Sequence, residues 1–147
     1  MADRINTIGG IEQVRAKFAY ECAEKVSKED YRKKYKAYVK KIPAMIKTNG
    51  LAATFAFVLS KAKIKEKEKA RTADAKAYHK IYEQTSAWLS QDQKNLIALS
   101  EKETDELVNK ILKLETSSEY RAVTVEILAF FNWLRRFADG LIEGEDG

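Results

Sequence analysis

Apolar residues recur at every third or fourth position along most of this chain, and nowhere do they alternate with polar ones for long enough to make a half-buried strand. That rhythm dictates helix, because a period near 3.6 residues gathers side chains onto one side of a helix, whereas a sheet needs a period of two. The breakers agree, since one proline and six glycines in 147 residues cannot punctuate many short strands. The expected fold is all-α, a single compact helical bundle of about five to seven helices. A chain of this length buries roughly 70% of the surface its unfolded state exposes, so the core needs no disulfide or metal to hold it.

Individual helices can be placed from the same rhythm. Ile11, Val14, Phe18 and Cys22 form the apolar stripe of a first helix running to about Val26. Ser27, with Asp30 three residues on, reads as the N-cap of a second. On that helix Tyr31, Tyr35, Tyr38, Val39, Ile42, Met45 and Ile46 share one face, and Lys33, Lys36, Lys40 and Lys47 share the opposite one. Pro43 deprives the Val39 carbonyl of its usual partner and predicts a kink or a joint near Ile42, with Asn49 and Gly50 as a left-handed stop. Small and large apolar residues cover most of the circumference of Leu51 to Lys63, as in a helix buried on several sides. Residues 64–72 have no apolar face and are expected as a solvated helical extension or a mobile charged connection.

From Ala73 the stripe resumes through Ala77, Ile81, Tyr82, Thr85, Trp88 and Leu89, then breaks at Ser90 to Asp92. Leu96, Ile97 and Leu99 predict a short helix, and Leu107, Val108, Ile111, Leu112 and Leu114 another. The strongest signal is last. Thr116 and Glu119 make a capping box, followed at helical intervals by Tyr120, Val123, Ile127, Phe130, Phe131, Leu134, Phe137 and Leu141, about six turns of helix.

Charge is divided unevenly over this frame. Ten Lys or Arg residues and no acid lie between Tyr31 and Lys65; residues 1–80 carry a net +11 and residues 81–147 a net −6. A basic part draws phosphates, and the acidic remainder limits indiscriminate adhesion or offers a complementary end to a stacked neighbour. Lysines at helical spacing track a phosphate backbone without selecting a sequence, so nucleic acid is one expected partner and acidic faces of neighbouring subunits the other. Tyr31, Tyr35 and Tyr38 are able to stack on bases but share the apolar face, which favours packing.

No catalytic constellation accompanies these charges. Cys22 and His79 are the only residues of their kinds, which excludes an intrachain disulfide and a cysteine-based zinc site. The glycines of "IGGI" and "TNGL" lack the spacing and the following Lys-Ser or Lys-Thr of a phosphate loop. Glu101 with Asp105, and Glu115 with Glu119, stand at i, i+4 in polar segments with nothing to shift their acidity. No enzyme activity, metal or cofactor is expected. No apolar run approaches the ~20 residues that span a bilayer, and "MADRINTIGG" has no apolar signal core, so a cytoplasmic protein without membrane contact is expected.

Two blocks carry a resemblance, "KYKAYVKKIPAMIKTNGLAATFAFVLSKAK" (Lys34 to Lys63) and "SSEYRAVTVEILAFFNWLRRFADGLI" (Ser117 to Ile142), with a weak echo in "RAKFAY". They resemble the small helical subunit of type III-B CRISPR effector complexes, the Cmr complexes. The first block is similar to that family's basic helix, its "P-x-x-I-x-x-N-G-L" junction and the helix after it; the second is similar to its terminal helix. The resemblance implies a non-catalytic subunit, present in several copies stacked along an RNA-guided ribonucleoprotein. It would help line the channel for guide RNA and target RNA, in antiviral defence, beside other subunits of the complex. Mapped onto the motifs, the RNA-facing residues are expected to be Lys40, Lys41 and Lys47 with Arg121, Arg135 and Arg136, while Lys33 and Lys36 join them from helical position alone. Arg135 and Arg136 equally complement a helix C-terminus. Trp133 fits either the core or a subunit contact.

Overall fold

The computed structural model describes residues 8–91 and 106–144. Among these residues there are six α-helices and no strand: α1 (Ile8–Val26), α2 (Arg32–Asn49), α3 (Leu51–Ala62), α4 (Ala73–Leu89), α5 (Glu106–Leu112) and α6 (Ser117–Leu141), with a 3-10 turn at Glu68–Ala70. The chain is all-α, as its periodicity requires.

The 25-residue α6 is the spine. Its start is the capping box read from sequence: Thr116 Oγ1 accepts from the Glu119 N–H at 3.1 Å, and Glu119 Oε1 accepts from the Thr116 N–H at 3.3 Å. Val123, Ile127, Phe130, Phe131, Leu134 and Ala138 then form a buried stripe. Against it α1 runs in the same sense, with Arg15 beside Glu126, Phe18 5.9 Å from Phe130 and Tyr20 edge-on to Phe137. The opposite sense is taken by α2, whose Arg32 meets Glu143 near the end of α6 while the α2–α3 junction meets Tyr120 near its start. Behind them α4 crosses α2 and α3, sending Trp88 onto Phe130 and Tyr82 onto Phe55. The core so enclosed is aliphatic and aromatic, and Tyr35, Tyr82, Phe55, Phe130 and Phe131 are all but inaccessible.

Several local expectations are corrected. Ser27 does not cap α2; its N–H bonds back to the Ala23 and Glu24 carbonyls and its hydroxyl donates to Glu24 O, so it finishes α1, and α2 opens after Tyr31 with no side-chain cap. Pro43 creates no joint either. One helix continues through it, because removing a single N–H is tolerated where Val39, Ile42 and Ile46 hold both flanks in the core. Expected to be buried on several sides, α3 buries Leu51, Thr54, Phe55, Val58 and Ala62 and leaves Ala53, Ala56, Phe57 and Ser60 as an exposed side. Residues 64–72 do not extend it: Lys63 turns left-handed (φ 55°, ψ 48°), and Arg71 donates to the carbonyls of Lys63 and Ile64 at 3.1 and 3.4 Å. Leu112 is exposed rather than packed. The helix expected at Leu96, Ile97 and Leu99, and the pair Glu101 and Asp105, lie outside the described residues.

The junction expected at Asn49 and Gly50 is present, but Gly50 adopts φ 93° and ψ 161°, a region open in practice to glycine alone, rather than the left-handed helical conformation. This residue closes one helix and opens the next. Its N–H donates to Ile46 O at 2.8 Å, and its carbonyl accepts from the Thr54 N–H and hydroxyl. A Cβ here would meet only the Tyr120 hydroxyl, at 3.8 Å, so the penalty for a side chain is one of backbone conformation rather than space. Gly50→Ala is therefore expected to lower stability by about 1–3 kcal/mol. Urea denaturation checks it, and an unchanged midpoint would reject the assignment of strain to this residue.

Candidate nucleic-acid interface

The packing of α2 decides which of its lysines reach solvent. Tyr31, Tyr35, Val39, Ile42 and Ile46 are buried, with Tyr38 and Met45 half-buried against the same core. Tyr35 donates to Gln84 Oε1 at 2.5 Å and burial pushes its hydroxyl pKa well up, so it is a core residue with no ring face to offer a base. The outer side presents Lys33, Lys40, Lys41 and Lys47 to water, as the helical positions require.

Lys36 is the exception and corrects the expected site. It is buried, donating from Nζ to the Ile142 carbonyl at 2.9 Å with Asp139 at 3.7 Å. Ile142, also buried, is the residue that ends α6, so the end of the spine folds over a lysine that the helical wheel leaves wet. Above and below it lie two more pairs across the same seam: Arg32 Nη2 to Glu143 at 2.6 Å and Lys40 Nζ to Asp139 at 3.3 Å. The Arg32 hydrogen bond holds the Glu143 carboxyl down at about 2. Three cations one turn apart therefore align α2 on α6. Lys40 contributes to this seam as well as to the exposed surface.

On α6, Arg121, Arg135 and Arg136 are exposed. Arg135 stands one turn before Asp139, on the side of α6 that faces α2, and Arg121 shares that side four turns nearer the start. The antiparallel seam thus brings Lys40 and Lys47 of α2 beside the arginines of α6, whereas Lys41 lies over the Tyr38 ring, on the side of α2 that packs against α4. Neither Lys47 nor these three arginines has an ion pair among the described residues. Trp133 is half-buried, stacked on Phe137 at 5.8 Å, and its indole donates to Glu12 at 3.1 Å.

The sequence model of the CRISPR-associated protein family Cmr5 matches residues 11–141. The chain belongs to the Cmr5 family. A crystal structure of a CRISPR-associated Cmr5 family protein from Thermus thermophilus superposes with a TM-score of 0.69 at 26% sequence identity, over 90% of this chain and 97% of that one. Cmr5 membership makes this a small subunit of a type III-B CRISPR (Cmr) effector, whose partners are the other subunits of that complex. The matched region of the Cmr5 family takes in the first block that carried the resemblance and the second as far as Leu141.

Cys22 and His79 have different surroundings in this Cmr5 chain. Burial raises the Cys22 thiol to about 12, which leaves it a packing residue. His79 is half-buried, which lowers its pKa, and lines a polar cleft of about 330 Å³ whose walls mix Glu29 and Glu83 with Arg71 and Lys76. No group of three His, Cys, Asp or Glu suited to a metal occurs among the described residues, and no helix there is long and apolar enough to cross a membrane.

Two features escaped the sequence reading. One is a buried polar network: Arg15 Nε and Nη2 grip Glu126 at 2.8 and 2.9 Å, the Trp88 indole donates to the same carboxylate at 2.8 Å, and Arg15 Nη1 reaches Glu12 at 2.5 Å. Its signal was present, since Glu126 falls on the apolar stripe of α6 and Arg15 on that of α1, and a charge on such a stripe demands a partner. The other is the aromatic group of Tyr38, Tyr78 and Phe57 between α2, α4 and α3.

Proposed function

We propose that this chain is a non-catalytic RNA-channel subunit of its type III-B effector, stacking in several copies so that α2 and α6 line the path of guide and target RNA. The observation that carries the reading is the line of exposed cations on adjoining antiparallel helices: Lys33, Lys40 and Lys47 on α2, and Arg121, Arg135 and Arg136 on α6. A row of this kind holds a phosphate backbone by charge and is indifferent to sequence, which suits a subunit that must accept any guide. A shallow surface gains retention when several copies contact one strand.

Reversing Lys47, Arg121, Arg135 and Arg136 to Glu is expected to weaken target-RNA retention by the assembled complex about a hundredfold or more at low salt. It is also expected to flatten the salt dependence, by about 0.7 in the log–log slope for each single-strand phosphate that no longer meets a cation. Filter binding across a salt series measures both. Unchanged retention would reject this surface. The division of charge, +11 against −6, favours a second reading in which the protein is an assembly scaffold and the same cations meet acidic faces of neighbouring subunits. Under it the quadruple variant fails to enter the complex at all, which copurification and mass measurement would reveal.

A further inference from the structure

The aromatic group on the other flank of α2 has a geometry that packing alone does not require. Phe57 projects from the exposed side of α3 and keeps 36% of its surface in solvent. Its ring is fixed by Tyr78, which meets it edge-on at 5.7 Å and 89°. Tyr78 in turn stacks on Tyr38 at 4.2 Å and 11°, so three rings from three helices form one continuous series. Each end carries a cation: Lys61 Nζ lies 5.6 Å over the Phe57 ring and Lys41 Nζ 5.8 Å over that of Tyr38. The carboxylate at this face, Asp74, is already engaged by the Tyr38 hydroxyl and by Lys34 at 3.4 Å.

We propose that this series is a base-stacking site for single-stranded RNA, in which an unpaired base lies on Phe57 while Lys61 and Lys41 swing to the flanking phosphates. An isolated surface phenylalanine is ordinary. A ring held from behind by Tyr78, with a flexible ammonium over its face, is preorganised for a flat ligand. A lysine over an exposed ring is a weak contact that a base readily replaces, and the released ammonium then gains a phosphate. Single-stranded ligand is required because a paired base has no free face. The site deepens the function proposed above and rests on it in one respect, that the strand is RNA; its residues are not those of the α2–α6 surface.

The test uses the full chain, a 4-thiouridine-substituted single-stranded RNA for photocrosslinking, and an oligoadenylate for affinity. Crosslinks are expected in the peptides that carry Phe57 or Tyr78. Phe57→Leu is expected to reduce oligoadenylate affinity by about fivefold to a hundredfold, by a constant factor at every salt concentration, and Phe57→Tyr to restore it. Lys41→Gln with Lys61→Gln should instead lower the salt slope. Leucine preserves the apolar contact with Tyr78 and removes the π face, so full affinity in Phe57→Leu, or no crosslink in α3 or α4, overturns the proposal. So does a Phe57→Leu protein that keeps its RNA affinity and fails to join neighbouring subunits, since the face would then dock protein. Loss of binding in the Lys47, Arg121, Arg135, Arg136 reversal with normal Phe57→Leu affinity removes the stacking site alone. The converse pair of results removes the basic surface and leaves the stacking site standing.

Discussion

Glu126→Ala is expected to lower stability by about 3–5 kcal/mol, a large share of the ~5–15 kcal/mol that holds a domain together. The carboxylate is 3% exposed and receives two hydrogen bonds from Arg15, itself 7% exposed, and a third from the Trp88 indole. Removing it leaves a guanidinium in a dry site with only the half-exposed Glu12 for company, and an indole N–H with no acceptor. The size of the loss measures an orphaned charge, not the net worth of the pair, because both ions lost their hydration on folding. A double variant separates these quantities. Arg15→Met with Glu126→Leu removes both charges at similar volume and should recover most of the stability. Urea denaturation of the three proteins is sufficient, and a loss below about 1 kcal/mol for Glu126→Ala would mean that the site is wetter than its burial indicates.

Lys36→Glu is the second large expected effect, on the order of 3–5 kcal/mol. The substitution points a carboxylate at the Ile142 carbonyl, acceptor against acceptor, and brings it beside Asp139 in a site only 6% exposed. Lys36→Met keeps the aliphatic stem in place and forfeits one charge-assisted hydrogen bond, so about 1.5–3 kcal/mol is expected. A charge-reversal scan of α2 would therefore score Lys36 as essential to RNA binding for the wrong reason. Thermal melts recorded beside the binding assay distinguish the cases: Lys36→Glu should melt at a markedly lower temperature, whereas Lys47→Glu should lose only affinity. A fully stable Lys36→Glu protein would contradict the burial of this lysine.

The contrast between these two lysines shows where sequence reasoning stops. Position on a wheel reports which side of α2 faces its own core, and Lys47 obeys it. The Lys36 environment is made by the turn at Ile142, more than a hundred residues away, and nothing in the local pattern announces it. Helices with an unbroken stripe and a cap, such as α6 from Thr116 onward, were legible almost to the residue because local and tertiary preferences agree there. The exposed side of α3 was not, since alanine suits a core and a surface equally and so hides which way Phe57 points. Pro43 misled for a related reason: one missing hydrogen bond matters less than three buried aliphatic residues around it. Of the site, the exposed lysines and arginines were readable as residue types; their alignment across two helices needed the antiparallel seam.

The pairing of Arg15 with Glu126 joins positions 111 apart in the chain. A ribosome adding about 5–20 residues per second needs roughly 6–20 s to travel that distance. Throughout that interval the first helix carries Phe18, Cys22 and a charged arginine with no spine to lie against. The Arg15–Glu126 pair can form only once α6 has emerged, so until then the arginine side of α1 is open to aggregation or to capture by a chaperone.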